Sequence, residues 1–559
     1  MNYADIAIPS PLPQLFTYRV PEEWKGRAKP GFRAVIPFRN KNRIGIILHS
    51  HSELSKELKK EKIKNIEAIP DELPLLSSKT IDWLRWLADY YFAPIGEVCR
   101  AALPSRLFDL KIKTGASPRV KEDHNHFEKG EILTLTKKQK EAIDIILKST
   151  HQESPKPILL HGITGSGKTE IYLNVIEKLL EEKKQIILLV PEISLTPQLI
   201  GWVSSRLKQE IAIYHSALTD SQRHAYWEKM RLGSLNVVVG TRSALFAPFQ
   251  NLGLIIVDEE QDASYKQQES FYYHARDAAI VRGKNERVPV LLGSATPSLE
   301  SFYNAKQKKY DYIHLSDRAT GASLPQVQLV DLRNQKPLPE APALSQALRE
   351  AITKKLERKE QSLLLLNRRG FSNLLICEDC GHTWRCLNCD ISLTYHTQPP
   401  RLLCHYCDLS MMVPSECPTC RGVSIKPLGE GTERLEEDLK KMFPKAKIAR
   451  LDRDTATQKH VRQKVLASMY RQEVDILIGT QMIAKGHDFS NVTLVGVIGA
   501  DTPLHLPDFR SAERTFQLLT QVAGRSGRDQ KPGVVFIQTF QPEHYSLQNT
   551  IAHDYEKFA

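Results

Sequence analysis

The sequence has 559 residues, 41% of them hydrophobic and 25% charged, which excludes wholesale disorder and allows three to five domains at roughly 100–200 residues each. Lys and Arg number 77 against 65 Asp and Glu, a formal net charge of +12, so an anionic partner is expected, nucleic acid first. Apolar runs such as 186–190 and 492–500 fall well short of the roughly 20 residues of a membrane helix, and 1–14 lacks the charged and apolar regions of a secretion signal, so a cytoplasmic protein without membrane contact is expected.

Short strand-like runs open the chain at Phe16–Val20, Ala34–Phe38 and Ile44–Leu48. A helix starts near Lys79, with Trp83, Trp86, Leu87 and Tyr90 at helical spacing. These runs make a first domain of residues 1–105. Residues 106–130 are polar, carry Ser117-Pro118 and lack apolar periodicity, so they read as a linker. From 131 onward, apolar runs alternate with longer helical stretches, at Ile158–His161, Ile186–Val190, Val237–Gly240, Leu254–Val257 and Val290–Gly293. That alternation predicts an α/β lobe, 131–320, with helices on both faces of a parallel sheet. It recurs at Ser362–Leu366, Ile448–Leu451, Asp475–Ile478, Leu494–Ile498 and Val534–Gln538. The second lobe is therefore 321–559, interrupted by a cysteine-rich block at 371–425.

The first lobe carries Gly162-Ile163-Thr164-Gly165-Ser166-Gly167-Lys168-Thr169 between a strand and a helix. Glycines at this spacing let backbone N–H groups close around phosphate oxygens, and the helix N-terminus adds its positive end. Lys168 is expected on the β- and γ-phosphates and Thr169 on Mg²⁺. Downstream, the apolar run from Leu254 ends in Asp258-Glu259-Glu260. Asp258 is placed to bind Mg²⁺ and Glu259 to orient an attacking water. In the loop that follows, Phe271 and Tyr272 beside Arg276 can stack on bases and touch phosphate; the residue types equally suit a buried aromatic cluster.

Eight of the nine cysteines lie between 377 and 420 as four CxxC pairs. In a reducing compartment this points to metal, and eight thiolates fill two tetrahedral zinc sites. The block has three Arg against five acidic residues, so it is not an electrostatic clamp for DNA; strand separation or partner docking fits better.

Ser294-Ala-Thr296, Gly479-Thr-Gln-Met-Ile-Ala-Lys485-Gly486-His-Asp-Phe489 and Gln521-Val-Ala-Gly524-Arg525-Ser-Gly-Arg528 resemble motifs III, V and VI of superfamily 2 helicases, in order. Leu135-Thr-Lys-Lys-Gln139 resembles the motif whose glutamine reads adenine. With PEISLTPQ at 191–198, GTRSALFAPF at 240–249, DEEQDASYKQ at 258–267, GEGTERLEEDL at 429–439 and the cysteine block, the whole chain resembles the primosomal replication-restart helicases, the PriA (primosomal protein N′) family. The resemblance implies two tandem RecA-like lobes and an ATP-driven 3′→5′ DNA helicase that acts at branched or stalled forks and promotes primosome assembly. It implies ATP, Mg²⁺ and two Zn²⁺, a monomer, and single-strand-binding protein and other primosome proteins as partners.

By resemblance, Arg525 and Arg528 serve the γ-phosphate. Cys377, Cys380, Cys417 and Cys420 share one zinc, and Cys386, Cys389, Cys404 and Cys407 the other. Phe16 and Lys64 hold the terminal nucleotide of a DNA 3′ end, and the loop with Phe271, Tyr272 and Arg276 couples DNA contact to hydrolysis. Three positions depart from the family pattern: Gln261 stands for histidine, Thr17 for aspartate and Arg39 for glycine. The stretch 106–130 is too short for the family's winged-helix domain, and the chain ends at Ala559, before the family's C-terminal domain. The same motor suits a double-stranded DNA translocase or an RNA helicase, and the zinc block alone suits a fork-binding scaffold with little ATPase.

Overall fold

The computed structural model describes all residues except 1, 55–62, 111–133, 193–196, 208, 320, 322, 336, 367–373, 429–431, 453–458, 482, 484–488 and 528–530. Most of the expected linker, Arg528, and parts of PEISLTPQ, GEGTERLEEDL and GTQMIAKGHDF lie outside the described residues. The chain divides into two compact units, 1–162 with 167–315, and 163–166 with 316–559.

The first unit opens with β1 (Tyr3–Ala7), β2 (Phe16–Arg19), β3 (Arg33–Phe38) and β4 (Lys41–His51), an antiparallel sheet of order β2-β1-β4-β3. Ile6, Ile36, Ile47 and Ile66 fill its core. Arg39 and Asn40 turn β3 into β4 with φ of 47° and 62°. A two-residue hairpin turn of that hand demands positive φ, which explains why glycine suits position 39. Helices α1 (Ser78–Tyr90) and α2 (Ile95–Ala102) follow, and the Ser77 side chain accepts from the Thr80 N–H at the start of α1. A 3₁₀ turn, Ser105–Phe108, buries Leu107, whose carbonyl accepts from Arg33 at 2.9 Å, while Arg33 also pairs with buried Asp71.

The lobe that follows comprises α3 (Lys137–Thr150), β5 (Ile158–Gly162), α4 (Lys168–Glu181), β6 (Gln185–Leu189), α5 (Pro197–Leu207), β7 (Ala212–Tyr214), α6 (Asp220–Arg231), β8 (Val237–Gly240), β9 (Leu252–Asp258), α7 (Ala275–Glu286), β10 (Val290–Ser294), α8 (Leu299–Lys306) and β11 (Asp311–Leu315). Its parallel sheet has the order β11-β5-β10-β9-β6-β8-β7. β5, β6, β8 and β10 are buried throughout, as strands covered on both faces must be, and so they read as unbroken apolar runs. The first domain is docked on this lobe: Trp83 of α1 is buried and donates its indole N–H to the Ala278 carbonyl of α7 at 3.0 Å.

The second unit repeats the plan with β12 (Gln326–Asp331) and β13 (Gln361–Leu366). An insertion follows with β14 (Leu374–Cys377), β15 (Thr394–Thr397), β16 (Pro400–Leu403), β17 (Ser410–Met412) and β18 (Ile425–Leu428). The lobe resumes with β19 (Ile448–Leu451), β20 (Ile476–Gly479), β21 (Val492–Ile498) and β22 (Val534–Thr539). The lobe's sheet is parallel, order β12-β22-β21-β13-β20-β19, and the insertion has its own β14-β18 pair and β15-β16-β17 sheet.

Candidate active site and metal centres

β5 ends at Gly162 and α4 begins at Lys168, so the glycine-rich loop spans the carboxyl end of a sheet strand and a helix N-terminus. Gly165 and Gly167 take φ of 84° and 80°, conformations that a Cβ penalises. The Lys168 ammonium donates to the Gly162 carbonyl at 2.8 Å, folded onto the loop it would leave for a phosphate. β10 separates β5 from β9, and its Gly293 pairs with Leu160 on one side and Asp258 on the other. The absent side chain at 293 makes room for Tyr172 of α4: a Cβ there would stand 1.7 Å from the tyrosine oxygen. The Tyr172 hydroxyl donates to Asp258 Oδ1 at 3.0 Å.

Burial first, and then the charge of Glu259, push the Asp258 carboxyl up to about 6, against the pull of Lys168. Between roughly pH 4 and 6 the folded chain thus holds a proton that the unfolded chain has released, and for this group stability falls as pH rises through that window. The Mg²⁺ expected at Asp258 would bind its carboxylate form. Its affinity at this site should fall about tenfold per pH unit below about 6, as titration calorimetry with Mg²⁺ and ATP at stepped pH will read. A pH-independent affinity across that range would contradict the assignment.

Glu259 has φ of 47°, a strained value of the sort that concentrates at functional sites. Its carboxylate accepts from Gln261 Nε2 at 2.7 Å, and Gln261 Oε1 accepts from the Ser294 hydroxyl at 2.6 Å. Ser294 in turn accepts from the Thr296 N–H at 2.9 Å. The glutamine at the family's histidine position therefore ties the acidic motif to Ser294-Ala-Thr296 without a titrating group. The third acid, Glu260, is fully buried and accepts from the Ser298 N–H, from the Ser301 hydroxyl and from Arg276.

That last contact corrects an expectation. Arg276 is held by Glu260 at 3.0 Å and Asp277 at 2.9 Å and bonds Ser298, so its charge is spent inside the lobe rather than offered to phosphate. Phe271 is likewise buried, 3% exposed; it stacks on Tyr273 at 4.9 Å and meets Tyr91 edge-on at 5.8 Å. Tyr272, at 56% exposure, is the one of the three that faces solvent. The Tyr91 hydroxyl accepts from the His274 N–H at 3.1 Å, which fastens the first domain to the loop behind the acidic motif. Beside this cluster lies a cavity of about 400 Å³, lined among others by Arg100, Arg223 and Arg242. Sequence reasoning missed these arginines as a group; the only signal was GTRSALFAPF, which contains Arg242.

Gln139 is buried, and its side chain accepts from the Thr136 N–H at 2.8 Å while the Thr136 hydroxyl accepts from its own N–H, a reciprocal cap on α3. Phe16 is half-buried at the start of β2, edge-on to Phe38 at 5.0 Å. Lys64 is exposed, and its carbonyl accepts from the Arg19 N–H at the other end of β2. The two are thus separated along the strand by about 10 Å of backbone. Arg525 follows the helix Ser511–Ala523, its N–H donating to the Val522 carbonyl at 3.0 Å.

The eight thiols assemble into two sets, Cys377, Cys380, Cys417 and Cys420, and Cys386, Cys389, Cys404 and Cys407. This is the nested pairing. Sγ–Sγ distances of 3.6, 3.6 and 3.5 Å join Cys377 to Cys420, Cys380 to Cys417 and Cys386 to Cys407. A tetrahedron with Zn–S bonds of 2.3 Å has edges of about 3.8 Å, so zinc fits both sets. All four CxxC turns share one backbone device: the residue four beyond the first cysteine returns its N–H to that cysteine's carbonyl with positive φ. These residues are Gly381, Asp390, Asp408 and Arg421. Only Gly381 is glycine, and there a Cβ would stand 2.3 Å from the Phe540 carbonyl oxygen. The Gly381 carbonyl accepts from Gln541, and the Tyr406 hydroxyl donates to the Pro507 carbonyl, and both bonds anchor the insertion on its lobe.

Comparison with known proteins follows the same divisions. Residues 5–104 match the 3'DNA-binding domain (3'BD) family, 136–304 the DEAD/DEAH box helicases, 386–411 the PriA DNA helicase Cys-rich region (CRR) domain and 427–530 the helicase conserved C-terminal domain. The replication restart protein PriA of Bacillus subtilis is 49% identical over 77% of this chain and 54% of its own length. That of Haemophilus influenzae is 38% identical over 100% of this chain and 85% of its own length. Among solved structures, RecG bound to a three-way DNA junction aligns with a TM-score of 0.45 at 18% identity, over 76% of this chain and 45% of that one.

Proposed function

The chain belongs to the family of the replication restart protein PriA, ATP-dependent DNA helicases, and we propose that it unwinds branched or stalled replication forks in the 3′→5′ direction and promotes primosome assembly. In this reading Lys168 neutralises the β- and γ-phosphates within the loop Gly162, Ile163, Thr164, Gly165, Ser166 and Gly167. Thr169 and Asp258 supply oxygen ligands to Mg²⁺, a hard cation that prefers them. Glu259 orients water, and Arg525 and Arg528 add positive charge at the γ-phosphate. Gln139 reads the base, its capping bonds setting its orientation. Residues 1–105 serve the DNA 3′ end through Phe16 and Lys64, 106–130 link, 131–320 and 321–559 are the motor lobes, and 371–425 hold two Zn²⁺. On the DNA side Tyr272 makes the contact, while Phe271 and Arg276 hold its loop. The protein works as a cytoplasmic monomer with single-strand-binding protein and other primosome proteins.

The observation that carries this reading is a pair of links at the acidic motif: Glu259 bonds through Gln261 to Ser294, and Glu260 holds Arg276, which stands two residues beyond His274, whose N–H donates to Tyr91 of the first domain. A DNA-dependent displacement of Tyr272 or of the first domain has a mechanical route to the hydrolytic acids. The test is unwinding of duplexes with a single-stranded tail of either polarity, and of forks with or without a free 3′ end. The expected result is unwinding from the 3′ tail alone and a 3′-end preference that Phe16→Ala erases. Unwinding from the 5′ tail, or a preference unchanged in the variant, would overturn the polarity or the pocket respectively.

A further inference from the structure

The N-terminal sheet carries a set of metal-ligand side chains chemically unlike the thiolates. Asp5 on β1 lies directly across from His49 on β4 and diagonal to His51, and the register shifts between Asp5 and Ile6. Residues i and i+2 of a strand share a face, and a bulge re-aims the side chains beside it. One donor atom from each of the three lies within 4.8 Å of the others. His51 Nε2 is 3.2 Å from Asp5 Oδ1, and His49 Nδ1 is 3.6 Å from Asp5 Oδ2. The two imidazoles stack with centroids 5.5 Å apart. Asp5 and His51 are 23% and 21% exposed, and His49, at 58%, leaves the group open to solvent.

The hydrogen bonds around the group define what it lacks. His51 Nδ1 lies against the Glu53 carbonyl oxygen. A carbonyl only accepts, so Nδ1 carries the hydrogen, and in the neutral ring Nε2 is then a lone pair. That lone pair faces a carboxylate oxygen, itself an acceptor. The same Oδ1 accepts from the Thr17 hydroxyl at 2.7 Å, from the residue that pairs with Asp5 on β2. A positive charge between Nε2 and the carboxylate satisfies both. A proton serves one nitrogen; a metal ion serves both imidazoles and the carboxylate together. A carbonyl behind one imidazole and a hydroxyl behind the carboxylate are the outer partners that fix such ligands.

We infer that Asp5, His49 and His51 bind a divalent transition-metal ion, Zn²⁺ first, with a fourth position open to water. This inference does not rest on the proposed function, because that reading gives no role to Asp5, His49 or His51. The test uses the full chain with its thiolate sites filled with zinc, to which Co²⁺ is then added. The wild type should gain one further ion, with cobalt d–d bands and no thiolate charge-transfer band. His49→Ala and His51→Ala should lose that ion and keep the thiolate-bound zinc, and Thr17→Val should weaken it by about 10- to 100-fold. Near-UV circular dichroism reports whether each variant is folded. Absence of a further ion in the wild type, its persistence in folded Asp5→Asn or His51→Ala, or a proton uptake without metal uptake would each overturn the inference.

Discussion

Replacing Lys168 by alanine should cut ATP turnover by about 100- to 1,000-fold, the usual cost of removing one preorganised positive group from a developing negative charge, while fork binding stays largely intact. The lysine begins α4, and its ammonium rests on the Gly162 carbonyl, inside the loop itself. Truncation removes that bond and the phosphate contact but leaves the sheet, because the strand and helix that flank the loop are held by buried Leu160, Ile171 and Leu173. The proposed DNA contacts, Phe16, Lys64 and Tyr272, all lie on elements other than this loop and its helix. Steady-state phosphate release with and without forked DNA, alongside a binding titration, separates the two effects. Near-normal turnover in the variant would remove the phosphate-site assignment.

Cys380→Ser should remove one zinc per chain and depress unwinding far more than ATP hydrolysis. The thiol stands in the first set, 3.6 Å from Cys417. A structural zinc contributes roughly 10–16 kcal/mol of binding energy to the fold of a small domain, and the insertion has little else: its core is Leu375, Trp384, Leu393 and Leu402 around the buried cysteines. The parallel sheet of the lobe has its own separate clusters of Leu, Ile and Val, so the motor fold should survive. Metal analysis of the wild type should give two tightly held ions. One ion or none in carefully prepared protein would contradict the eight-thiolate reading, and equal loss of ATPase and unwinding would contradict the independence of the insertion.

The parts of the molecule that sequence made readable are those whose chemistry is local. The glycine loop is recognisable because Gly165 and Gly167 must take positive φ. The parallel strands stand out because burial on both faces leaves no polar alternation, as in β13 and β21. β1 escaped notice because five residues that include Asp5 carry too short an apolar signal. The strands of the zinc insertion escaped because their register is set by CxxC turns and metal, not by periodicity. The loop behind the acidic motif shows the same limit more sharply. Phe271 and Arg276 have the residue types of a nucleic-acid contact. Their surroundings depend on Tyr91 and Glu260, and side-chain type cannot report a partner that the fold delivers from another element. Cys-pair nesting came from resemblance; the structure supplies it as geometry.

In the proposed mechanism one chain joins fork recognition to ATP hydrolysis through the loop behind Glu259. Its most direct measurement is the phosphate-release rate of the purified chain on forked DNA, compared with no DNA and with a Tyr91→Ala variant that loses both the edge-on contact to Phe271 and the bond from His274. The predicted result is strong stimulation by the fork in the wild type, with an unchanged DNA-free rate and largely lost stimulation in the variant. Hydrolysis indifferent to DNA in the wild type, or stimulation fully retained in folded Tyr91→Ala, would contradict it.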